Sequence, residues 1–200
     1  MGEAAMQLEE KYTYGQYRSW TDDERWELID GLAWMMSAPS DRHQAISFRL
    51  SGELYVFLKG KPCLGRAAPF DVLLPRSDEA DDDINTVVQP DLVVFCDRTR
   101  IRKANARGAP DLVIEILSLS TQRKDWNEKF RLYERVGVRE YWVIDPISLA
   151  IWVFHLVEDA AGRHYDQGLL REQFRDWSRV ESTVLVGFSI DPGELFADLD

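Results

Sequence analysis

Short apolar runs recur along the chain, and two of them carry an acidic residue where an apolar one is expected. The run LVIEIL is short and rich in β-branched residues, which predicts a buried strand with Glu115 inside it. Because strand side chains alternate, Val113, Glu115 and Leu117 share one face. Asp91 stands at the head of LVVF, a second run of the same kind, and Pro90 before it is tolerated at a strand start.

A helix is predicted from Gln122 to Val136, because apolar residues recur there at helical spacing. The stripe at i, i+4, i+7 and i+10 consists of Trp126, Phe130, Tyr133 and Val136. Lys129 falls inside this stripe, and a charged amine on a buried helix face requires an anionic partner. The order strand, turn, helix lays the helix back on the sheet, so we expect Lys129 to reach Glu115.

Asp91, Glu115 and Lys129 together predict a metal-dependent hydrolytic site. Two carboxylates suit a hard cation such as Mg²⁺, with Mn²⁺ as a substitute. A lysine beside them stabilises charge on a phosphate or orients the attacking water. Two structural alternatives stay open: Asp91 as an ordinary Pro-Asp strand start, and Glu115 with Lys129 as a buried ion pair without chemistry.

Three further residues are candidates for auxiliary roles. Glu27 lies inside the strand WELIDG, which pairs with LAWMMS as a hairpin, and the pattern favours an exposed position. His43 follows Ser40, the predicted N-cap of a long helix, and is more typical of a capping or surface histidine. Asp71 lies in AAPFDVLLP, part of a predicted strand from 64 to 74, and would be a third metal ligand if that strand pairs with that of Asp91.

The length of 200 residues predicts one domain spanning 1–200, with residues 1–10 disordered or a frayed helix. Cys63 and Cys96 show no metal-ligand spacing, and we expect both to be reduced thiols. The chain shows neither a transmembrane-length apolar run nor a signal-peptide pattern at its start, which predicts a cytoplasmic protein without membrane contact.

The net charge of −11 counts against nucleic-acid binding, because such domains are usually basic over the binding face. The charge is unevenly distributed, however. Residues 97–140 contain eleven Lys and Arg against seven Asp and Glu, so the segment with Glu115 and Lys129 is basic. Candidate phosphate contacts, with a solvated loop as the alternative, are Arg98, Arg100, Arg102, Lys103 and Arg107.

At these residues the chain resembles a known family. The order aspartate, strand carboxylate, lysine resembles the PD-(D/E)XK nuclease superfamily. PDLVIEILSLST, Asp125, Lys129, Tyr133 and EYWVIDP resemble more closely the Uma-type restriction endonuclease family, as does the N-terminal WELIDGLAWMMSAPSDRHQ. One departure is that Leu117 stands where the superfamily has its strand lysine, and the family resemblance moves that role to Lys129.

The resemblance implies a restriction-endonuclease-like α/β (α+β) fold, with a central mixed sheet flanked by helices. It implies Asp91 and Glu115 as ligands of a divalent metal ion and DNA as the substrate. Cleavage of both DNA strands would favour a homodimer. The alternative is a catalytically inactive protein that keeps the fold as a DNA-binding or assembly module.

Overall fold

The structure is a computed structural model, and it describes residues 7–20, 24–118, 125–160, 162–166, 169–171 and 179–199. Its helices are α1 (Tyr14–Tyr17), α2 (Asp41–Leu58), α3 (Phe130–Val136, preceded by a π-helical turn at Asp125–Lys129) and α4 (Pro192–Leu195). Its strands are β1 (Gln7–Lys11), β2 (Arg25–Ile29), β3 (Leu32–Met36), β4 (Leu64–Ala67), β5 (Asp71–Leu73), β6 (Val87–Val88), β7 (Leu92–Phe95), β8 (Asn105–Arg107), β9 (Leu112–Ile116), β10 (Glu140–Asp145), β11 (Ala150–Asp159), β12 (Gly162–Tyr165), β13 (Leu169–Arg171), β14 (Val180–Glu181) and β15 (Ser189–Ile190).

Two mixed sheets form most of the described structure. The first has the order β1-β3-β2-β6-β5-β8, and the second has the order β12-β11-β10-β9-β7-β4, with β13 also paired to β11. Strands β14 and β15 form a separate pair. The predicted mixed sheet flanked by helices is therefore confirmed, although the strands divide between two large sheets.

Strand β9 lies in the middle of the second sheet, between helices on its two faces. Leu112, Ile114 and Ile116 belong to the core packed against α2, together with that helix's Ile46, Leu50, Leu54 and Leu58. Val113 and Leu117 belong to the opposite core, with Leu132 and Tyr133 of α3. The predicted alternation along this strand is confirmed, and Glu115 is on the α3 side.

A β-α-β crossover places α3. Strands β9 and β10 are parallel, with Val113 opposite Tyr141, and α3 connects them across the sheet. The chain leaves the helix at Gly137, whose φ of 90° is the left-handed conformation that glycine adopts readily at a helix end. The first three residues of the predicted helix, 122–124, lie outside the described residues, and the described part starts at Asp125.

The N-terminal hairpin is confirmed. Strands β2 and β3 pair with Ile29 opposite Leu32, joined by Asp30 and Gly31. Both turn residues have positive φ, 52° and 87°, which matches the Asp-Gly preference of a tight hairpin turn. The prediction of disorder or a frayed helix over 1–10 was wrong for residues 7–10, which are part of β1; residues 1–6 lie outside the described part.

The predicted strand from 64 to 74 is instead two strands in different sheets. A cis peptide bond joins Ala68 to Pro69 and separates β4, which pairs with β7, from β5, which pairs with β6 and β8. Asp71 therefore lies on β5, which does not pair with β7, the strand that begins directly after Asp91. Proline lacks the N–H needed to continue a ladder, which is why the run breaks there.

The expectation of reduced cysteines was wrong, because Cys63 and Cys96 form a disulfide. Strands β4 and β7 are antiparallel with Leu64 opposite Phe95, and continuing this register by one residue places the two cysteines opposite each other. The separation of 33 residues along the chain conceals this adjacency. Among the described residues, no helix has the length and apolarity needed to cross a bilayer.

Candidate active site

Three charged side chains form a buried cluster where β9, β2 and α3 meet. Lys129 Nζ lies 2.7 Å from Glu115 Oε1 and 2.9 Å from Glu27 Oε1. The exposed fraction is 2% for Lys129, 4% for Glu115 and 0% for Glu27. Because a buried charge is costly without an opposite charge, the ammonium and the two carboxylates stabilise one another.

Local helix geometry directs Lys129 and Tyr133 at the same carboxylate. Lys129 is the last residue of the π-helical turn, and Tyr133 follows four residues later on the same side of the helix. The Tyr133 hydroxyl donates to Glu115 Oε1 at 2.7 Å. Burial, followed by the nearby Glu115 charge, raises the pKa of Tyr133 well above its ordinary value, so the hydroxyl stays protonated as a donor.

Asp91 is held beside Glu115 by the pairing of β7 with β9. Leu92 lies opposite Ile114 in this antiparallel pair, so continuing the register places Asp91 opposite Glu115. The Asp91 carboxylate accepts the backbone N–H of Ile116 at 2.7 Å. Opposed residues of an antiparallel pair project to the same face, and both carboxylates therefore line the same pocket.

His43 completes the pocket from the start of α2. Ser40 caps the helix by accepting the backbone N–H of His43, as the sequence predicts. The imidazole Nε2 lies 3.1 Å from the Asp91 carboxylate, and the side chain is 12% exposed. Its Nδ1 is buried with no hydrogen-bond partner among the described residues. The expectation of a surface or capping histidine is wrong for this side chain, because its ring contacts Asp91.

The pocket itself is a small cavity of about 90 Å³. The charged and ionisable side chains that line it are Arg25, His43, Asp91, Glu115 and Lys129. Counting Glu27 behind Lys129, three carboxylates face one ammonium around the cavity, with Arg25 directed at Gln89. Glu27, Glu115 and Asp91 together with Lys129 and Arg25 have a formal charge of −1 when all five are ionised, which favours an additional cation.

A polar network extends from Glu27 towards Asp71. The backbone N–H of Gln89 donates to Glu27 Oε1 at 2.8 Å, and its side-chain amide donates to Asp71 at 2.9 Å. Burial raises the pKa of the Asp71 carboxyl, against the hydrogen bonds from Gln89 and Tyr17. Asp71 does not line the pocket, and Gln89 links it to Glu27 through these two hydrogen bonds.

The structure thus brings together most of the residues singled out from sequence. Asp91, Glu115, Lys129 and His43 line one pocket, and Glu27 contacts Lys129. The expected exposure of Glu27 is wrong, since β2 is buried in the interior of its sheet between β3 and β6. Among the described residues, no set of three His, Cys, Asp or Glu side chains is arranged as a metal site.

Sequence reasoning assigned no role at this site to three groups, Tyr133, Gln89 and Arg25. The hydroxyl of Tyr133 had a detectable signal, because it lies one helical turn after Lys129 and therefore faces the same carboxylate. The hydrogen bond from Gln89 to Glu27 depends on the pairing of β2 with β6, in which Leu28 lies opposite Val87. No local sequence pattern predicts this pairing.

The fold is similar to that of a solved nuclease-like protein. A crystal structure described as a "putative nuclease belonging to DUF820" from Anabaena variabilis superposes with a TM-score of 0.70 and 17% sequence identity, covering 92% of this chain and 96% of that one. The class of fold is thus nuclease-like.

Residues 14–193 match the Uma2 family, described as "Putative restriction endonuclease", and the chain belongs to this family. An uncharacterized protein from Synechocystis is 29% identical over 181 residues, which cover 88% of this chain and 87% of that protein.

Proposed function

We propose that the protein is a metal-dependent endonuclease that hydrolyses phosphodiester bonds of DNA. The observation that carries the proposal is the convergence of Asp91, Glu115 and Lys129 on one pocket at the end of paired strands. Membership of the Uma2 family and the nuclease-like fold support the same assignment.

The donor set fits a small divalent cation. Asp91 and Glu115 offer hard carboxylate oxygens from opposed positions, and the negative charge of the cluster favours a dication. Mg²⁺ keeps several waters and is commonly held by one or two carboxylates together with substrate phosphate oxygens, so two side chains suffice. Mn²⁺ suits the same oxygen donors. When bound, such an ion supplies Lewis acidity towards a phosphate oxygen and lowers the pKa of a water.

Lys129 has the role of stabilising charge on the reacting phosphate. Its ammonium is fixed by Glu115 and Glu27 at 2.7 and 2.9 Å, so little reorganisation is needed when negative charge develops nearby. Glu27 and Tyr133 are positioning residues, because they hold the lysine and Glu115 without lining the cavity.

His43 lies in a position suited to proton transfer. Hydrolysis adds a water oxygen to phosphorus, breaks one P–O bond to sugar, and delivers a proton to the departing oxygen. The imidazole lines the pocket and is oriented by Asp91, which is the arrangement of a general acid or of a phosphate contact. Asp71 has a supporting role through Gln89, outside the set of metal ligands.

We also propose that two copies of the chain form a two-fold dimer, because each chain has one site that cuts one strand and a duplex has two strands. The apolar residues exposed on α2, Phe48, Tyr55 and Val56, are 70–82% exposed and offer a surface for such pairing. Light scattering of the purified protein tests this pairing. The mass of a single chain, for a protein that cuts both strands of a duplex without releasing it, would contradict the pairing.

A plasmid-cleavage assay with Mg²⁺ or Mn²⁺ tests the function. Wild-type protein is expected to cut, and Glu115→Gln and Lys129→Met are each expected to lose at least about 100-fold in rate, the usual size of such electrostatic contributions. Glu128→Gln is the matched control, because Glu128 is exposed and directly precedes Lys129. It should cut like the wild type.

The assay also separates the alternative function. A nuclease-fold protein that only binds DNA or assembles with partners gives no cleavage with either ion, while DNA binding survives in both site variants. That result, obtained with folded proteins by circular dichroism, rules out the nuclease.

A further inference from the structure

A second pocket lies at the opposite end of α3 from the candidate active site, and arginines dominate its wall. Its volume is about 990 Å³, and it shares no lining residue with the active-site pocket. Its lining arginines are Arg76, Arg100, Arg102, Arg107, Arg135 and Arg163. None of the described residues that line it is acidic, which is unusual in a chain with net charge −11.

Four of these arginines are held in pairs by carboxylates outside the lining. Asp30 Oδ1 lies 2.8 Å from Arg76 and 2.7 Å from Arg135, and Arg135 also donates to Asp30 Oδ2 at 3.1 Å. Asp81 binds Arg102 and Arg107, one through each oxygen. Each aspartate therefore fixes two guanidinium groups close together, which leaves one positive charge per pair uncompensated.

Arg163 packs against the backbone at Gly137. No acidic partner for it occurs in the part of the chain that the structure describes, and a Cβ built on Gly137 would meet its Nη1 at 2.5 Å. Arg100 is 3.5 Å from Asp97. Among the described residues, six guanidinium groups thus face three carboxylates, which leaves a formal charge of +3 on these groups before any ligand is counted.

We propose that this pocket binds a small anion carrying two or more phosphate groups, either inorganic oligophosphate or the phosphate chain of a nucleotide. Guanidinium groups recognise phosphate in a bidentate manner, and paired arginines match adjacent phosphates of one chain. The proposal is independent of nuclease activity.

The geometry favours a small ligand over a duplex. The volume is at the upper end of small-molecule sites, roughly 300–1,000 Å³. The eight residue steps from Lys129 to Gly137 put the two pockets on the order of 12 Å apart along the helix axis. No aromatic side chain lines the pocket within the described ranges, so base stacking is not part of its recognition.

Isothermal titration calorimetry with sodium tripolyphosphate, at low ionic strength and without divalent ions, tests the proposal. We expect saturable binding with one site per chain. Arg163→Ala should weaken it at least about tenfold, since a charge-assisted hydrogen bond to phosphate is lost and no carboxylate of the described residues is left unpaired. Arg18→Ala is the matched control, because Arg18 has an exposed ion pair with Asp82 elsewhere, and it should bind within about twofold of the wild type.

Parallel titrations with ATP distinguish the two ligand sources. Equal affinity for ATP and tripolyphosphate assigns the site to the phosphate chain alone, and tighter binding of ATP assigns it to a nucleotide. Three results overturn the proposal. These are no binding by about 1 mM ligand, equal losses in Arg163→Ala and Arg18→Ala, or displacement of tripolyphosphate by a short DNA duplex that binds more tightly through Arg163.

Discussion

The substitution Lys129→Met removes the one ammonium of the buried cluster at nearly constant side-chain volume. Glu115 and Glu27 then remain 4% and 0% exposed without the cation that contacts both of them. Breaking a buried ion pair by deleting one partner typically costs about 3–5 kcal/mol, and two carboxylates share this lysine. We therefore expect the free energy of unfolding to fall by at least about 3 kcal/mol.

Urea unfolding at neutral pH, followed by tryptophan fluorescence, measures this loss. The chain has seven tryptophans, and Trp142 on β10 is fully buried, so its environment changes on unfolding. The control is Lys59→Met, which removes a charge from an exposed position and should change stability by less than about 0.5 kcal/mol. A double-mutant cycle of Lys129→Met with Glu115→Gln should give a coupling energy of about 0.5–3 kcal/mol, as expected for residues in contact.

Equal and small losses of stability in Lys129→Met and Lys59→Met would show that the buried ammonium does not stabilise the two carboxylates. A coupling energy near zero would likewise show that the ammonium does not contact Glu115 in solution. Loss of stability without loss of DNA cleavage would leave the ion pair intact as a structural feature and remove Lys129 from the proposed mechanism.

Three further predictions concern other parts of the fold. Leu50→Ala on α2 is expected to lower the unfolding free energy by about 2–5 kcal/mol in urea titrations, because Leu50 is fully buried against the second sheet, whereas Glu53→Ala on the exposed side of the same helix should cost far less. Cys63→Ser is expected to cost about 3–4 kcal/mol for the 33-residue separation, and peptide mapping without reductant should find Cys63 linked to Cys96; free thiols there would contradict the structure. Burial raises the pKa of the Asp30 carboxyl, but hydrogen bonds from Arg135 and Arg76 outweigh this effect, so the pKa in the folded protein lies below the ordinary value of 3.8. The stability that Asp30 contributes is therefore present above pH 3.8 and is lost as the pH falls through the folded pKa. Asp30→Asn should flatten the decline of stability in that acid range, and an unchanged pH profile would oppose the two ion pairs.

The part of the site that sequence predicts is the part carried by short-range patterns. Glu115 interrupts a strand and Lys129 interrupts a helical stripe, and both anomalies are visible within a few residues. The strand-turn-helix order then fixes which face they share, so their contact follows from local rules.

The parts that sequence did not predict depend on long-range pairing. Glu27 is buried because β2 lies inside a sheet whose next strand, β6, comes some sixty residues later. The disulfide requires β4 to lie antiparallel to β7, and His43 reaches Asp91 only because α2 packs across the second sheet. Asp71 was misplaced because the chain changes sheets at Pro69. None of these events leaves a periodic signal in the chain.

The proposed nuclease function depends first on whether Asp91 and Glu115 hold a metal ion. Crystals soaked in Mn²⁺ test it most directly, because the anomalous scattering of the ion marks its position independently of any activity. We expect an anomalous peak between the Asp91 and Glu115 carboxylates that disappears in Asp91→Asn crystals. Crystals in which Mn²⁺ binds elsewhere, with no peak at this pocket, would contradict it.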